Sequence, residues 1–162
     1  GRAVRAEAVA IRSGVALSAG RPLASIPFAP PILALPQHRT EALLRARLGE
    51  LAPGALRAGT EFVGLEARAD RVALDAVHGA GSLAVDAGVL VGADGIRSTV
   101  RSLAGIPLRQ LRGTAAYAMA DAPDTTGAEG VAQLHLEPAG IVESFPLPGG
   151  RRRWVARLPS PE

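Results

Sequence analysis

The stretch "VLVGADGIRSTVR", residues 89–101, holds an apolar run, two glycines flanking Ala93 and Asp94, and the start of a short helical pattern. Val89, Leu90 and Val91 are apolar at consecutive positions, which predicts a strand covered on both faces. Where such a strand ends, the chain must leave the sheet, and the space past its carboxyl end is the usual ligand crevice of an open α/β sheet. Gly92 and Gly95 allow a sharp bend and a close backbone approach. Asp94 offers an acceptor-only carboxylate suited to polyol hydroxyls. Ser98 reads as the N-cap of the helix that follows, with Gly105 at its C′ position and Pro107 beyond. The free N–H groups at that helix start favour an anion such as a pyrophosphate. A bare Asp-Gly after a strand is more often only a turn, and Ser98 alone only a cap.

Composition sets the outer bounds. The chain has 162 residues, of which 48% are apolar, enough for one core or two small ones. It has no cysteine, which excludes disulfides, thiolate metal sites and cysteine nucleophiles. All its basic side chains are arginine, so a net charge of only +3 gives a predicted pI near 10.8. The arginines are spread among acids and aromatics are scarce, against the clustered charge and interleaved rings of a nucleic-acid binder. No apolar run approaches the roughly 20 residues of a bilayer span, and no leader pattern opens the chain, so a cytoplasmic protein without a membrane span is expected. Gly1 in place of methionine reads as processing or excision.

Outward from the opening stretch, periodicity assigns the elements. Residues 3–12 alternate loosely and predict a strand, with a turn at Ser13-Gly14. Pro22, Pro27, Pro30 and Pro31 exclude a helix from there to residue 35. "RTEALLRARLGEL", 39–51, places Leu44, Leu48 and Leu51 on one helical stripe, with Glu41 and Arg45 as an i, i+4 pair and Pro53-Gly54 as the stop. "EFVGLEA", "RVALDAV" and "SLAVDA" are short strands. After residue 108 the pattern is mostly strand, "AAYAMADA", "VAQLHLE", "GIVESFPL" and "RRWVARL", separated by turns at 123–130, 138–140 and 148–150. Arg151, Arg152 and Arg153 follow Pro148-Gly149-Gly150 and read as the solvated flank of a hairpin.

"VLVGADGIRSTVRSLAGI" resembles the second fingerprint of the FAD-dependent aromatic hydroxylases, the class A flavoprotein monooxygenases related to para-hydroxybenzoate hydroxylase, with the polyketide hydroxylases nearest. Gly92, Ala93, Asp94, Gly95, Ser98, Val100 and Arg101 carry the match. "LPQHRTEALL" is similar to a second segment of that family through Pro36, Gln37, Glu41 and Leu44. The resemblance implies an α/β (α+β) fold: a partial FAD/NAD(P)-binding Rossmann-like domain with a short β-meander, plus part of a mixed antiparallel substrate-binding sheet. It implies that residues 1–35 are strands of the substrate domain, 36–108 part of the FAD/NAD(P)-binding domain, and 109–162 the beginning of the substrate sheet.

The same resemblance implies cofactor-binding roles for Gln37, Gly92, Asp94, Gly95 and Ser98, with Asp94 and Gly95 near the ribityl-pyrophosphate region of FAD and also serving NAD(P)H. Arg101 is expected as a structural ion-pair partner, and Arg97 is given no role. The implied reaction is hydroxylation of an activated aromatic ring, with NAD(P)H as reductant and O2 as oxygen source. Catalytic residues are not named by it. The alternatives are an FAD-dependent reductase or halogenase of the same fold, and a catalytically silent truncated domain.

The family's G-x-G-x-x-G is absent. "GAGSLA", 79–84, sits between two strand patterns and reads as a hairpin turn. The later G-D segment is missing too. The chain is therefore expected to be the middle of a longer flavoenzyme whose remaining segments are its partners, and to hold no flavin alone. His38, His78 and His135 lack ligand spacing, so no metal is expected. No serine sits in a nucleophile elbow and no Walker pattern occurs. His135, Phe145 and Trp154 are expected to pack in the sheet, with His135 or Phe145 the ones able to face a ligand.

Overall fold

The structure, a computed structural model, describes residues 1–109 and 115–158. Parts of the segment 109–162, at 110–114 and 159–162, lie outside the described residues. The chain divides into two compact units, Gly1–Leu51 with Thr114–Glu162, and Ala52–Gly113. It is a mixed α/β protein with one mixed sheet and one antiparallel sheet, the class expected.

The first unit begins with α1 (Arg2–Glu7), followed by β1 (Val9–Ser18) and β2 (Arg21–Ala34). The predicted strand over 3–12 is thus half helix. Its opening residues are mostly alanine, arginine and glutamate, all good helix formers, and the loose alternation did not outweigh them. Nor does the chain turn at Ser13-Gly14, because β1 runs through it. Gly14 instead makes room for a ring: a Cβ there would lie 3.1 Å from Phe28 Cζ. Helix α2 (Gln37–Leu51) follows as expected. A forked ion pair joins it to α1, with Arg39 Nε and Nη2 donating to Glu7 at 2.6 and 2.9 Å. Its stripe residues Leu44, Leu48 and Leu51 are exposed in this chain.

The unit is completed by β6 (Tyr117–Pro123), β7 (Val131–Glu137), β8 (Gly140–Leu147) and β9 (Arg151–Arg157). Together with β1 and β2 they form a six-stranded sheet of order β2-β1-β7-β8-β9-β6. The β1–β7 pairing is parallel, Ser13 opposite Val131 through Leu17 opposite His135, and the other four are antiparallel.

The triple arginine corrects its sequence reading. The hairpin is there, but its flank is not solvated. Arg152 is fully buried and donates from Nε to Asp124 (2.9 Å), from Nη1 to the Val131 carbonyl and Ser144 Oγ (both 3.1 Å), and from Nη2 to the Ala128 carbonyl (2.7 Å). Strand alternation sends Arg152 to one face and Arg153 to the other, where Arg153 forks onto Asp121 at 2.8 and 3.0 Å. A buried guanidinium is tolerated only with its charge matched and its donors used, and here both conditions hold. His135 packs against Trp154, ring centroids 5.9 Å apart, and its Nε2 is buried without a hydrogen-bond partner among the described residues.

The second unit contains the meander β3 (Thr60–Ala67), β4 (Val72–His78) and β5 (Gly81–Ala87), in that spatial order. Gly79 and Ala80 form the turn between β4 and β5, so "GAGSLA" is a hairpin. One face presents Leu65, Leu74 and Val85 in register across the three strands. The opposite face is polar, with Glu66, Asp75 and Asp86. After the meander comes α3 (Thr99–Leu103), which packs on β3.

Residues 88–95 form no strand, against expectation. Val89 and Val91 are 78% and 79% exposed. A strand exists only through a ladder, and no strand of the described residues pairs with this segment. The apolar run marks a place to be covered, which this chain by itself does not cover.

Candidate cofactor site

The segment after β5 is organised around Asp94. Gly95 has φ +79°, a conformation that costs glycine little, and folds the chain back so that Asp94 meets the start of α3. Ser98 is the N-cap: its Oγ accepts from Arg101 N at 3.0 Å and donates to Asp94 Oδ1 at 2.5 Å. Asp94 Oδ2 accepts from Val100 N at 3.1 Å. Two orphan donors of the first turn are thereby satisfied by two side chains. At the other end Ile106 N reaches the Arg101 carbonyl and Gly105 N the Ser102 carbonyl, with Gly105 at φ +66°. That is a Schellman termination, as the Gly105 position predicted.

These bonds define the electrostatics. The Ser98 hydroxyl first, and then the Val100 N–H, hold the Asp94 carboxyl below the usual aspartate range, so it is ionised at neutral pH. The helix N–H groups that were expected to receive a pyrophosphate are already engaged by Asp94 and Ser98. A second anion at the same point would meet the carboxylate, so α3 is not a phosphate cradle.

The two glycines do different work. A Cβ on Gly92 would lie 2.9 Å from both Cβ and Cγ1 of Val100, so its bare side is filled by α3. A Cβ on Gly95 would meet nothing within 4 Å, leaving open space beside the aspartate. Arg101 donates from Nη2 to the Ile96 carbonyl at 2.7 Å and so braces the loop as a hydrogen-bond donor, where the sequence suggested an ion pair. An apolar groove between α3 and the meander is lined by Leu65, Val72, Leu90, Val100 and Ile106.

Gln37 belongs to the other unit, at the first position of α2, where it is exposed. Its amide makes no hydrogen bond among the described residues. The structure thus brings Gly92, Asp94, Gly95 and Ser98 together within one loop and its helix.

The residues present fit the polyol part of a flavin. Asp94 is exposed, ionised and held in one orientation, and a carboxylate has about four lone-pair sites, so acceptor capacity remains beyond its present bonds. Open space adjoins it at Gly95.

A second candidate site, on the six-stranded sheet, was legible in the sequence only through Phe145, which lines it, whereas His135 does not. A groove of about 240 Å³ runs along β1, β2, β7 and β8, lined mainly by Ile26, Phe28, Leu134 and Phe145, with Glu143 the one charged side chain on its wall. Phe28, in the proline-rich β2, gave no signal in sequence because the strand's placement depends on its pairing with β1. No helix of the described residues is long and apolar enough to cross a membrane, and no cluster of metal-ligating side chains occurs among them.

Comparison with known proteins agrees with this geometry. The family model described as an FAD binding domain matches residues 15–160. The 12-dehydrotetracycline 5-monooxygenase/anhydrotetracycline 6-monooxygenase of Streptomyces rimosus is 41% identical over 109 residues, covering 65% of this chain and 22% of that protein. The 3-(3-hydroxy-phenyl)propionate/3-hydroxycinnamic acid hydroxylase 2 of Burkholderia vietnamiensis is 34% identical over 120 residues, covering 73% of this chain and 22% of that protein. The chain therefore spans about a fifth of the length of these curated relatives. Among solved structures, p-nitrophenol 4-monooxygenase from Pseudomonas putida DLL-E4 superposes with a TM-score of 0.87 over 97% of this chain and 43% of that one, at 19% identity, which speaks for the fold alone. With the family model matched over residues 15–160, nearly all of the chain, this chain belongs to the FAD binding domain family.

Proposed function

We propose that this chain is the middle portion of an FAD-dependent, NAD(P)H-using monooxygenase that hydroxylates a phenolic or polyketide aromatic ring with O2. The observation that carries the reading is the family match over residues 15–160, joined to an ionised Asp94 presented at a glycine bend. The named activities of the two curated relatives, a monooxygenase and a hydroxylase, support the reaction class.

Asp94 is the residue assigned to grip ribityl hydroxyls, with Ser98 orienting its carboxylate and Gly95 keeping the approach open. Gly92 serves by letting α3 close against the loop. Gln37, unpartnered at the head of α2, is assigned to the flavin side of the cofactor. When bound, FAD supplies the redox chemistry, and the protein's part is binding, orientation and exclusion of water. On this reading the six-stranded sheet is the substrate-side wall and the meander with α3 belongs to the cofactor side.

The exposed apolar positions support a working state that includes further segments of the same protein. Val89, Val91 and Ile96 are each more than three-quarters exposed, and the α2 leucine stripe faces outward. The flanking segments are expected to cover these positions and to complete the cofactor cradle. The test is NAD(P)H oxidation by the protein with its flanking segments. Phenolic rings should stimulate it and yield a product one oxygen atom heavier. Flavin reduction that no aromatic compound stimulates, with no oxygenated product, would instead indicate a reductase.

A further inference from the structure

The groove on the six-stranded sheet is apolar apart from two side chains, Gln133 and Glu143. Register places Glu143 opposite Leu134 on one side and Val155 on the other, so its carboxylate has apolar cross-strand neighbours. It is exposed and has no ion-pair partner among the described residues. The cations nearest in register are Arg153 and Arg157, two residues either side of Val155 on β9, and neither lines the groove. The Arg153 charge is matched by the fork onto Asp121. The groove lining therefore offers a carboxylate acceptor and no cation.

From this we infer that Glu143 selects ligand charge: the groove takes a neutral hydroxylated aromatic ring and rejects an aromatic carboxylate. The inference rests on the reading of this face as the substrate side. A phenolic O–H can donate to Glu143 in a charge-assisted hydrogen bond while its ring lies among Phe28, Phe145 and Leu134. A ligand carboxylate would lose hydration in the same apolar surroundings, face a like charge, and find no arginine in the groove lining to offset either. At about 240 Å³ the groove is smaller than the roughly 300–1,000 Å³ of a drug-sized pocket, so it would hold one ring or the end of a larger fused system. Between the two curated relatives, the preference favours a substrate with a hydroxylated ring at its leading end over an arylpropionate-type acid.

The test uses the FAD-loaded protein with its flanking segments, titrated calorimetrically with resorcinol and with 3-hydroxybenzoate. Resorcinol should bind the wild type about tenfold more tightly, a gap within reach of one like-charge contact. Glu143→Gln should close most of that gap, chiefly by admitting 3-hydroxybenzoate, and Glu143→Arg should reverse the preference. Glu143 is exposed and unpaired, so neither change should disturb the fold. Equal affinities in the wild type, or a gap that both variants leave unchanged, would overturn the role of Glu143 and leave the substrate face standing. Failure of both probes to bind any of the three proteins would overturn the reading of the face, and the inference with it.

Discussion

The two units each organise their backbone around one charged side chain, and they do so on different length scales. In the six-stranded unit Arg152 is fully buried and draws its partners from residues 8 to 28 positions away along the chain. In the second unit Asp94 is exposed and is bonded to groups only 4 and 6 residues away. The first arrangement exists only when the sheet is assembled. The second is a local device that pre-shapes a surface and leaves its charged group available. A buried ion that uses its donors inward is structural; an exposed ion held by its neighbours can still accept a ligand.

Breaking the first centre should have the largest effect. Arg152→Met leaves Asp124, Ser144 and two carbonyls without their donor, and should destabilise the protein by about 3–5 kcal/mol, read as a lowered denaturant midpoint. Asp124→Asn should cost less, because it keeps an acceptor toward Arg152.

Gly92→Ala comes next. The added methyl meets Val100 at 2.9 Å, and displacement of α3 should cost about 1–3 kcal/mol. Adding Val100→Ala should recover part of that loss, since it removes Cγ1 from the clash, although a cross-check with Val100→Ala alone is needed to correct for its own lost contacts. If the double variant is no more stable than the sum of the single changes, Gly92 is not there for α3.

Ser98→Ala should cost about 1 kcal/mol by removing an N-cap, visible as faster amide exchange at Arg101. Acid should discriminate less sharply between the units. Asp121 is lowered chiefly by Arg153, Asp124 chiefly by the Thr126 hydroxyl with a further share from Arg152, and Asp94 chiefly by Ser98. Each has a folded pKa below its unfolded value, so each stabilises the fold fully above the ordinary aspartate range. That contribution is lost as pH falls through the folded values. A thermal-midpoint series should therefore be level near neutrality and fall below about pH 4. A fall beginning nearer pH 6 would point to a histidine instead.

The same difference in length scale explains what could be read from sequence. The N-cap at Ser98, the C′ glycine at 105, the helix read over 39–51 and the turn after residue 78 all depend on residues within a few positions, and pattern alone located them. Arg152 looked solvated because the residues that bury it come from three other places in the chain. The apolar run at 89–91 was legible as a surface to be covered, but a strand also needs a neighbour to bond, which pattern does not reveal. At residues 2–7 helix propensity prevailed over a loose two-residue alternation. Within the candidate site, the identity of Asp94 and its glycines was legible. That its carboxylate occupies the helix start meant for an anion was not, because this follows from how far Gly95 bends the chain.

The central claim is that Asp94 receives the polyol of FAD. The most direct measurement is FAD affinity, by fluorescence quenching, in the protein with its flanking segments, comparing wild type with Asp94→Ala and Ser98→Ala. The loss of a charge-assisted acceptor should weaken binding about tenfold or more in Asp94→Ala, with a smaller loss in Ser98→Ala, which keeps the carboxylate and removes only its brace. Wild-type affinity in Asp94→Ala, with α3 still folded, would contradict the claim.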